Sequence, residues 1–167
     1  MYQISSSSKD ELKRLVARAS RAAEYCSHNL VLVVLEPEVR VSLDKDSQIE
    51  DVELINVSKS LSQRIVCLSA NERIKRLDVE FEEVAEKCSE NSWLTKLDLL
   101  FEPSLKANPI LLLKWLSKSR PVVAIWPGQI YEKTLVYAEP GSEDYRTYSL
   151  QELKDIQVVN ACNGVIK

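Results

Sequence analysis

The sequence has few of the residues that build metal sites or disulfide bonds. It contains four cysteines and one histidine, His28, and no two cysteines have the C-x-x-C spacing. Zinc therefore lacks its usual set of ligands, and unpaired cysteines are typical of a reducing compartment. We expect no cofactor and no bound metal. Because the N-terminus shows no export signal, we also expect a cytoplasmic protein.

The sequence also lacks a long apolar run and a strong charge of one sign. No apolar stretch reaches the roughly 18 residues that a membrane-spanning helix needs, so no membrane partner is expected. The net charge of −3 provides no basic surface, which argues against nucleic acid as a direct ligand. A chain of 167 residues predicts one domain that can fold without disulfide bonds.

Helical and strand patterns alternate along most of the chain. Four apolar runs predict strands, and they cover residues 30–34, 53–57, 93–101 and 121–126. Helix starts are predicted by capping residues, namely Ser8, Ser58, either Asn71 or Asp78, and the pair Asn108-Pro109. Residues 36–52 are predicted to be a loop or a short irregular helix. Strands separated by helices predict a three-layer α/β fold with a mostly parallel sheet.

Three parts of this single domain are predicted. An N-terminal helix lies in residues 1–29, an α/β core in residues 30–126, and a β-rich tail in residues 127–167, where short strands and turn residues follow one another. Folds of this class include the phosphate-loop proteins, but the fold class alone does not give a function.

The eight residues after the first strand, LEPEVRVS, contain no glycine and no lysine. A phosphate loop has the pattern G-x-x-x-x-G-K-[ST] at this place, where glycines let backbone N–H groups surround the phosphates. In that pattern Leu35 and Arg40 occupy the glycine positions, Val41 occupies the lysine position, and Ser42 matches. The stretch is therefore interpreted as a degenerate phosphate loop.

A family resemblance supports this interpretation. The segments "LDLLFEPSLKANPILLLKWLSKSRPVVAIWPG" and "LVYAEPGSEDYRTYSL" resemble BrxF, a small phosphate-loop protein of type III BREX phage-defence systems, and the resemblance extends over roughly residues 30–149. It implies a P-loop NTPase fold, and an acidic pair at the end of a later strand. Thr95 stands where the family has the magnesium-associated aspartate, and Asp98 stands where the next glutamate would be.

Two alternatives remain open beside a non-catalytic role. Asp98 and an acidic loop over residues 44–51 would form the metal site of a nuclease or phosphatase, although an ordinary ion pair is the simpler interpretation. A nucleic-acid-binding accessory module is the other alternative. Aromatic and arginine residues of the tail would form a protein interface, a base-stacking surface or part of the core, and they are Trp126, Tyr137, Tyr145, Arg146 and Tyr148.

The favoured hypothesis is a non-catalytic subunit of a bacterial antiphage system. It predicts no catalytic residue, because the phosphate-binding lysine and the magnesium carboxylate are both missing. The expected partners are other defence-system proteins and a further copy of this chain.

Overall fold

The computed structural model describes residues 6–45, 49–162 and 165–166. The helices are α1 (Ser6–Ala23), α2 (Pro37–Lys45), α3 (Val57–Ile65), α4 (Ala70–Glu86) and α5 (Pro109–Leu116). The strands are β1 (Leu30–Val34), β2 (Glu53–Asn56), β3 (Ser92–Thr95), β4 (Val122–Ile125), β5 (Gln129–Tyr131), β6 (Thr134–Tyr137), β7 (Arg146–Ser149), β8 (Gln157–Asn160) and β9 (Val165–Ile166).

The main sheet has six strands in the order β2-β3-β4-β1-β8-β9. All of its pairs are parallel except that of β8 with β9, which is antiparallel. This confirms the predicted α/β class with a mostly parallel sheet. Strand β1 is central, between β4 and β8, and all five of its residues are buried.

Helices cover both faces of this sheet, because the side chains of β1 alternate between two apolar cores. Leu30, Leu32 and Val34 belong to a core that includes residues of α3, α4 and α5. Val31 and Val33 belong to a second core that includes residues of α1 and α2. Connections between parallel strands are right-handed in nearly all proteins. When the chain reverses its direction across the sheet, the next connection therefore passes over the opposite face. The result is the predicted three-layer architecture.

The helix boundaries differ from the predicted ones where several capping residues are close together. Helix α4 begins after Ser69, which forms a capping box with Glu72, and not at Asn71 or Asp78. Helix α3 is capped by Asn56 instead of Ser58, and α1 already includes Ser6. The start of α5 is confirmed, because Asn108 caps it and proline follows at the first helical position.

The third predicted strand is shorter than the sequence indicates. Strand β3 ends at Thr95, and residues 98–101 form a turn of 3₁₀ helix. Lys96 has a φ of 52°, in the left-handed region, so it turns the chain out of the sheet. The apolar residues that follow, such as Leu97 and Phe101, are buried in the core all the same.

The C-terminal part of the chain contributes to two sheets. Strands β5, β6 and β7 form a separate antiparallel sheet, while β8 pairs with β1 in the main sheet. Residues of the predicted β-rich tail therefore belong to both sheets. Gly128 sits where the two sheets meet, because a Cβ atom there would lie 1.8 Å from the Val136 carbonyl oxygen. In the part of the chain that the structure describes, no helix is long and apolar enough to cross a membrane.

Candidate functional site

The carboxyl ends of β1, β3 and β4 meet at one edge of the main sheet, which we call the carboxyl edge. The chain leaves β1 toward one face of the sheet and leaves β3 toward the other, and ligands of open α/β proteins bind in the crevice that such a divergence creates. A cavity of about 180 Å³ is found there. Its lining includes Arg40, Val41, Thr95, Lys96, Asp98 and Ile125.

The chain passes from β1 into α2 with only Leu35 and Glu36 between them. Leu35 is buried, and α2 already includes Arg40, Val41 and Ser42. The backbone N–H of Arg40 donates to the carbonyl oxygen of Glu36 at 2.9 Å, as in a regular helix. These residues are therefore helical, as the short-helix alternative predicted. They do not form a loop whose N–H groups are turned toward a phosphate.

The side chains of this helix contact their own chain. The Arg40 guanidinium donates to the carbonyl oxygen of Trp126, at 3.4 Å, and to that of Gly128. The hydroxyl of Ser42 donates to the carbonyl oxygen of Val39 at 3.0 Å, while Val41 is 48% exposed. Arg40 thus joins α2 to the segment after β4.

The remaining space at this position is small. Pockets for drug-sized ligands usually measure about 300–1,000 Å³, and the cavity of about 180 Å³ is below that range. Glu36 and Glu38 add negative charge near the start of α2, where an anion would otherwise be favoured. The crevice beside α2 is therefore small, and the helix that borders it begins with acidic residues.

Thr95 and Asp98, the residues at the magnesium-site positions, have structural contacts. The Thr95 hydroxyl donates to the carbonyl oxygen of Ile55 at 3.1 Å and is buried, so it joins β3 to β2. Asp98 begins the 3₁₀ turn and is exposed. The prediction that it lies on a strand was therefore wrong. Its carboxylate accepts a hydrogen bond from the Tyr137 hydroxyl at 3.4 Å. This contact joins the main sheet to the antiparallel sheet.

Tyr137 remains neutral over the ordinary pH range. Burial and, to a lesser extent, the nearby carboxylates of Asp98 and Asp144 raise the pKa of its phenol to about 12. The hydroxyl therefore stays a donor to Asp98. It does not act as a base near neutral pH.

A wider cleft of about 600 Å³ adjoins this crevice, between the start of α3 and the 3₁₀ turn. Most of its polar groups are already paired. The Asn56 side chain caps α3, and the Ser58 hydroxyl donates to the Lys96 carbonyl oxygen at 2.6 Å. Ser62 donates to the Lys59 carbonyl oxygen at 2.9 Å. The cleft is therefore polar, and its lining also includes Lys59 and Asp144.

The proposed acidic metal site is not assembled in the described part of the chain. Asp46 and the side chain of Asp44 lie outside the described residues. Asp51 precedes β2, at the amino end of the parallel strands, whereas Asp98 follows the carboxyl end of β3. The Asp51 carboxylate lies 3.9 Å from the Lys13 ammonium. Among described residues, no three acidic, histidine or cysteine side chains are grouped to hold a metal.

Trp126 is part of the core, which was one of the three alternatives for the aromatic residues of the tail. Its exposure is 0%, and its indole Nε1–H donates to the carbonyl oxygen of Val136 at 3.1 Å. Its ring packs edge-to-face against Phe101 and Tyr148, with ring centroids 5.5 Å and 5.9 Å apart. Tyr137 stacks on Phe101 at 3.8 Å. Packing these large rings together stabilises the fold, because each buries much apolar surface.

The other predicted interface residues are partly exposed. Tyr145 and Arg146 are half-buried, and the Arg146 guanidinium donates to the carbonyl oxygens of Glu143 and Tyr145 at 3.2 Å and 2.8 Å. These contacts hold the loop before β7. They leave Arg146 less free to bind a base or a partner than its sequence neighbourhood suggests.

A groove at the opposite edge of the main sheet was not predicted from the sequence. This amino-edge groove has a volume of about 1060 Å³, and its lining includes Val16, Trp93, Glu24, Glu82, Glu86 and Glu90. The acidic residues of α4 were interpreted as ordinary solvated surface. The spacing of Glu82 and Glu86 does place them on one helix face, but only the fold shows that α1 lies across from them.

No protein-family model matches the sequence, and no curated protein or solved structure matches it either.

Proposed function

We propose that this protein is a non-catalytic, degenerate P-loop NTPase-like subunit of a bacterial antiphage defence system, related to BrxF, and that it acts in the cytoplasm by assembling with other proteins. The observation that carries the proposal is the two-residue connection between β1 and α2. A phosphate loop needs several residues there, because its N–H groups must converge on the phosphates before the helix begins.

Two further observations support a role without catalysis. Arg40, the cation nearest the lysine position, donates to backbone carbonyl groups after β4. Thr95 and Asp98 likewise contact Ile55 and Tyr137. Phosphoryl transfer depends on positioned cations and a metal-binding carboxylate, and these side chains are engaged in holding the fold.

Isothermal titration calorimetry with ATP and magnesium tests the proposal. We expect no saturable heat up to millimolar ATP, and no ATP turnover. A Kd in the micromolar range would contradict the proposal, as would ATP hydrolysis that is lost in a Ser42→Ala variant. The matched control is Ser62→Ala, which removes an exposed hydroxyl with the same kind of local hydrogen bond to a carbonyl three residues earlier.

A further inference from the structure

The amino-edge groove combines an apolar floor with acidic walls. Val16 and Trp93 contribute to the floor and are 3% and 5% exposed. One wall is α1 with the residue after it, Glu24. The other wall is the C-terminal end of α4 with the turn after it, and it contributes Glu82, Glu86 and Glu90. A groove with walls of this kind suits a basic ligand surface.

The carboxylates of the walls have no counter-cation in the described part of the chain. No lysine or arginine nitrogen of residues 6–45, 49–162 or 165–166 pairs with Glu24, Glu82, Glu86 or Glu90. The two cations that line the groove have other partners. Lys13 lies 3.9 Å from Asp51, which also lines the groove, and Arg120 donates to the carbonyl oxygen of Ala85. Acidic walls around an apolar floor attract a basic partner, because such a cleft concentrates the field.

The same chain has a basic surface that complements this groove. Arg14, Arg18 and Arg21 are exposed on α1 and follow one another at i, i+4 and i+7, so they form one row that extends about 10 Å. None of the three pairs with an acidic residue in the described ranges. Tyr25 continues the row beyond the end of α1 and is 90% exposed. Arginine and tyrosine are enriched at the centres of protein interfaces.

We propose that the amino-edge groove binds helix α1 of a second copy of this chain, with the arginine row of one protomer facing the carboxylates of its partner. Helix α1 is itself a wall of the groove, so docking brings the two α1 helices side by side. A two-fold axis between them would form each contact twice and close the assembly as a dimer. The proposal rests on the proposed function, in which the chain acts by assembly, and it names one surface for that assembly.

Sedimentation velocity on the purified full chain tests the dimer. We expect a monomer–dimer equilibrium with a Kd below about 100 μM at about 50 mM salt, which corresponds to about −5.5 kcal/mol. The dimer should weaken at about 500 mM salt, because exposed charge pairs are screened within a few ångströms there. A chain that stays monomeric at about 100 μM in low salt would overturn the proposal.

Charge reversals identify the surface. Arg18→Glu and Glu86→Arg each place like charges opposite one another, and each should raise the dimer Kd at least about tenfold. An equimolar mixture of the two variants should dimerise within about threefold of the natural chain, because every reversed charge then faces its complement. The matched controls are Lys118→Glu and Glu139→Arg, which reverse exposed charges outside the groove and should leave the Kd unchanged.

Other outcomes would reassign the surfaces. A dimer that tolerates both reversals would overturn the proposal. So would a monomer that binds single-stranded DNA through Arg18, which would assign the arginine row to nucleic acid.

The ATP titration is independent of these measurements. If ATP binds and the dimer forms, the proposed function fails and the interface stands. If ATP does not bind and the chain stays monomeric, the interface fails and the proposed function stands.

Discussion

The two edges of the main sheet differ in what their polar side chains do. At the carboxyl edge, Arg40, Thr95 and Asp98 each contact a group of the same chain. At the amino edge, Glu86 and its neighbours border an open groove without a counter-cation in the described residues. A polar group that already has a partner stabilises the fold and is unavailable to a ligand, whereas an unpaired one still can bind.

Ligands of open α/β sheets usually bind at the carboxyl ends of the strands. Here the connection after β1 is short and the crevice beside α2 is small, although a cleft of about 600 Å³ adjoins it. The amino edge retains the larger described groove, at about 1060 Å³ against about 180 Å³ for the crevice beside α2. The predictions below test each edge separately.

The largest effect is expected from Trp126→Ala, which would leave a cavity between the two sheets. Removing this fully buried indole should lower the free energy of unfolding by about 4 kcal/mol, because a large cavity remains. Chemical denaturation monitored by circular dichroism measures the change. The matched control is Trp115→Ala, at a tryptophan that is 41% exposed, and it should cost about 1 kcal/mol or less. Equal losses would show that Trp126 is not a core residue.

Arg40→Ala should lower the free energy of unfolding by about 2 kcal/mol, because the carbonyl groups of Trp126 and Gly128 lose a charged donor. ATP should still fail to bind, since α2 continues to occupy the place of a loop. Thermal unfolding and calorimetry check the two statements. Lys118→Ala, at an exposed cation outside both the crevice and the groove, is the control and should change stability by no more than about 0.5 kcal/mol. ATP binding by the Arg40→Ala variant would mean that Arg40 alone blocks the site.

The link between Asp98 and Tyr137 predicts a pH dependence at the alkaline side. Because the folded protein raises the pKa of Tyr137 from 10.0 to about 12, its contribution to stability is complete below pH 10 and is lost as the pH rises toward 12. Absorbance titration of phenolate formation measures the pKa. Asp98→Asn should lower it, since one of the negative charges that oppose ionisation disappears.

The control for this titration is Tyr137→Phe, in which the most alkaline tyrosine transition should disappear. That substitution should cost about 0.5 kcal/mol at neutral pH, because the hydrogen bond it removes is long and partly exposed. A titration unchanged by either substitution would show that Asp98 does not contact the phenol in solution.

The smallest effect is expected at the amino edge. Glu82 and Glu86 are four residues apart on α4, and like charges at this spacing destabilise a helix by about 0.2–0.5 kcal/mol. Glu86→Gln should therefore raise the free energy of unfolding of the monomer by a few tenths of a kcal/mol at low salt. The gain should vanish at high salt. Glu90→Gln, beyond the end of the helix, is the control that should leave stability unchanged.

The sequence predicted elements whose signals are local. Strand β1 follows from a run of buried β-branched residues, and α5 follows from Asn108 and Pro109, whose capping geometry needs no distant contact. The length of β3 was wrong because apolar composition does not distinguish a strand from a buried 3₁₀ turn. The turn begins where Lys96 enters the left-handed region, and a lysine gives no sign of that conformation.

The candidate site was harder to predict because its contacts join residues far apart in the chain. Residue 40 and residues 126 and 128 meet only after the main sheet has formed, so no local pattern could show that Arg40 is engaged. The sequence left Trp126 open between the core, a protein interface and a base-stacking surface, because its neighbours include tyrosine and arginine. Whether an aromatic side chain points inward depends on the packing of two sheets, which the sequence spacing does not reveal.

The position of β1 at the centre of the main sheet has a consequence for biosynthesis. Both of its neighbours, β4 and β8, lie much farther along the chain. A ribosome adding about 5–20 residues per second therefore exposes the apolar segment LVLVV for several seconds before either neighbour emerges. Any nascent chain that stops before residue 122 leaves this strand with both edges open, and open apolar strand edges pair readily with other chains. Ribosome stalling in this part of the message would therefore yield aggregates in place of a shortened, folded protein.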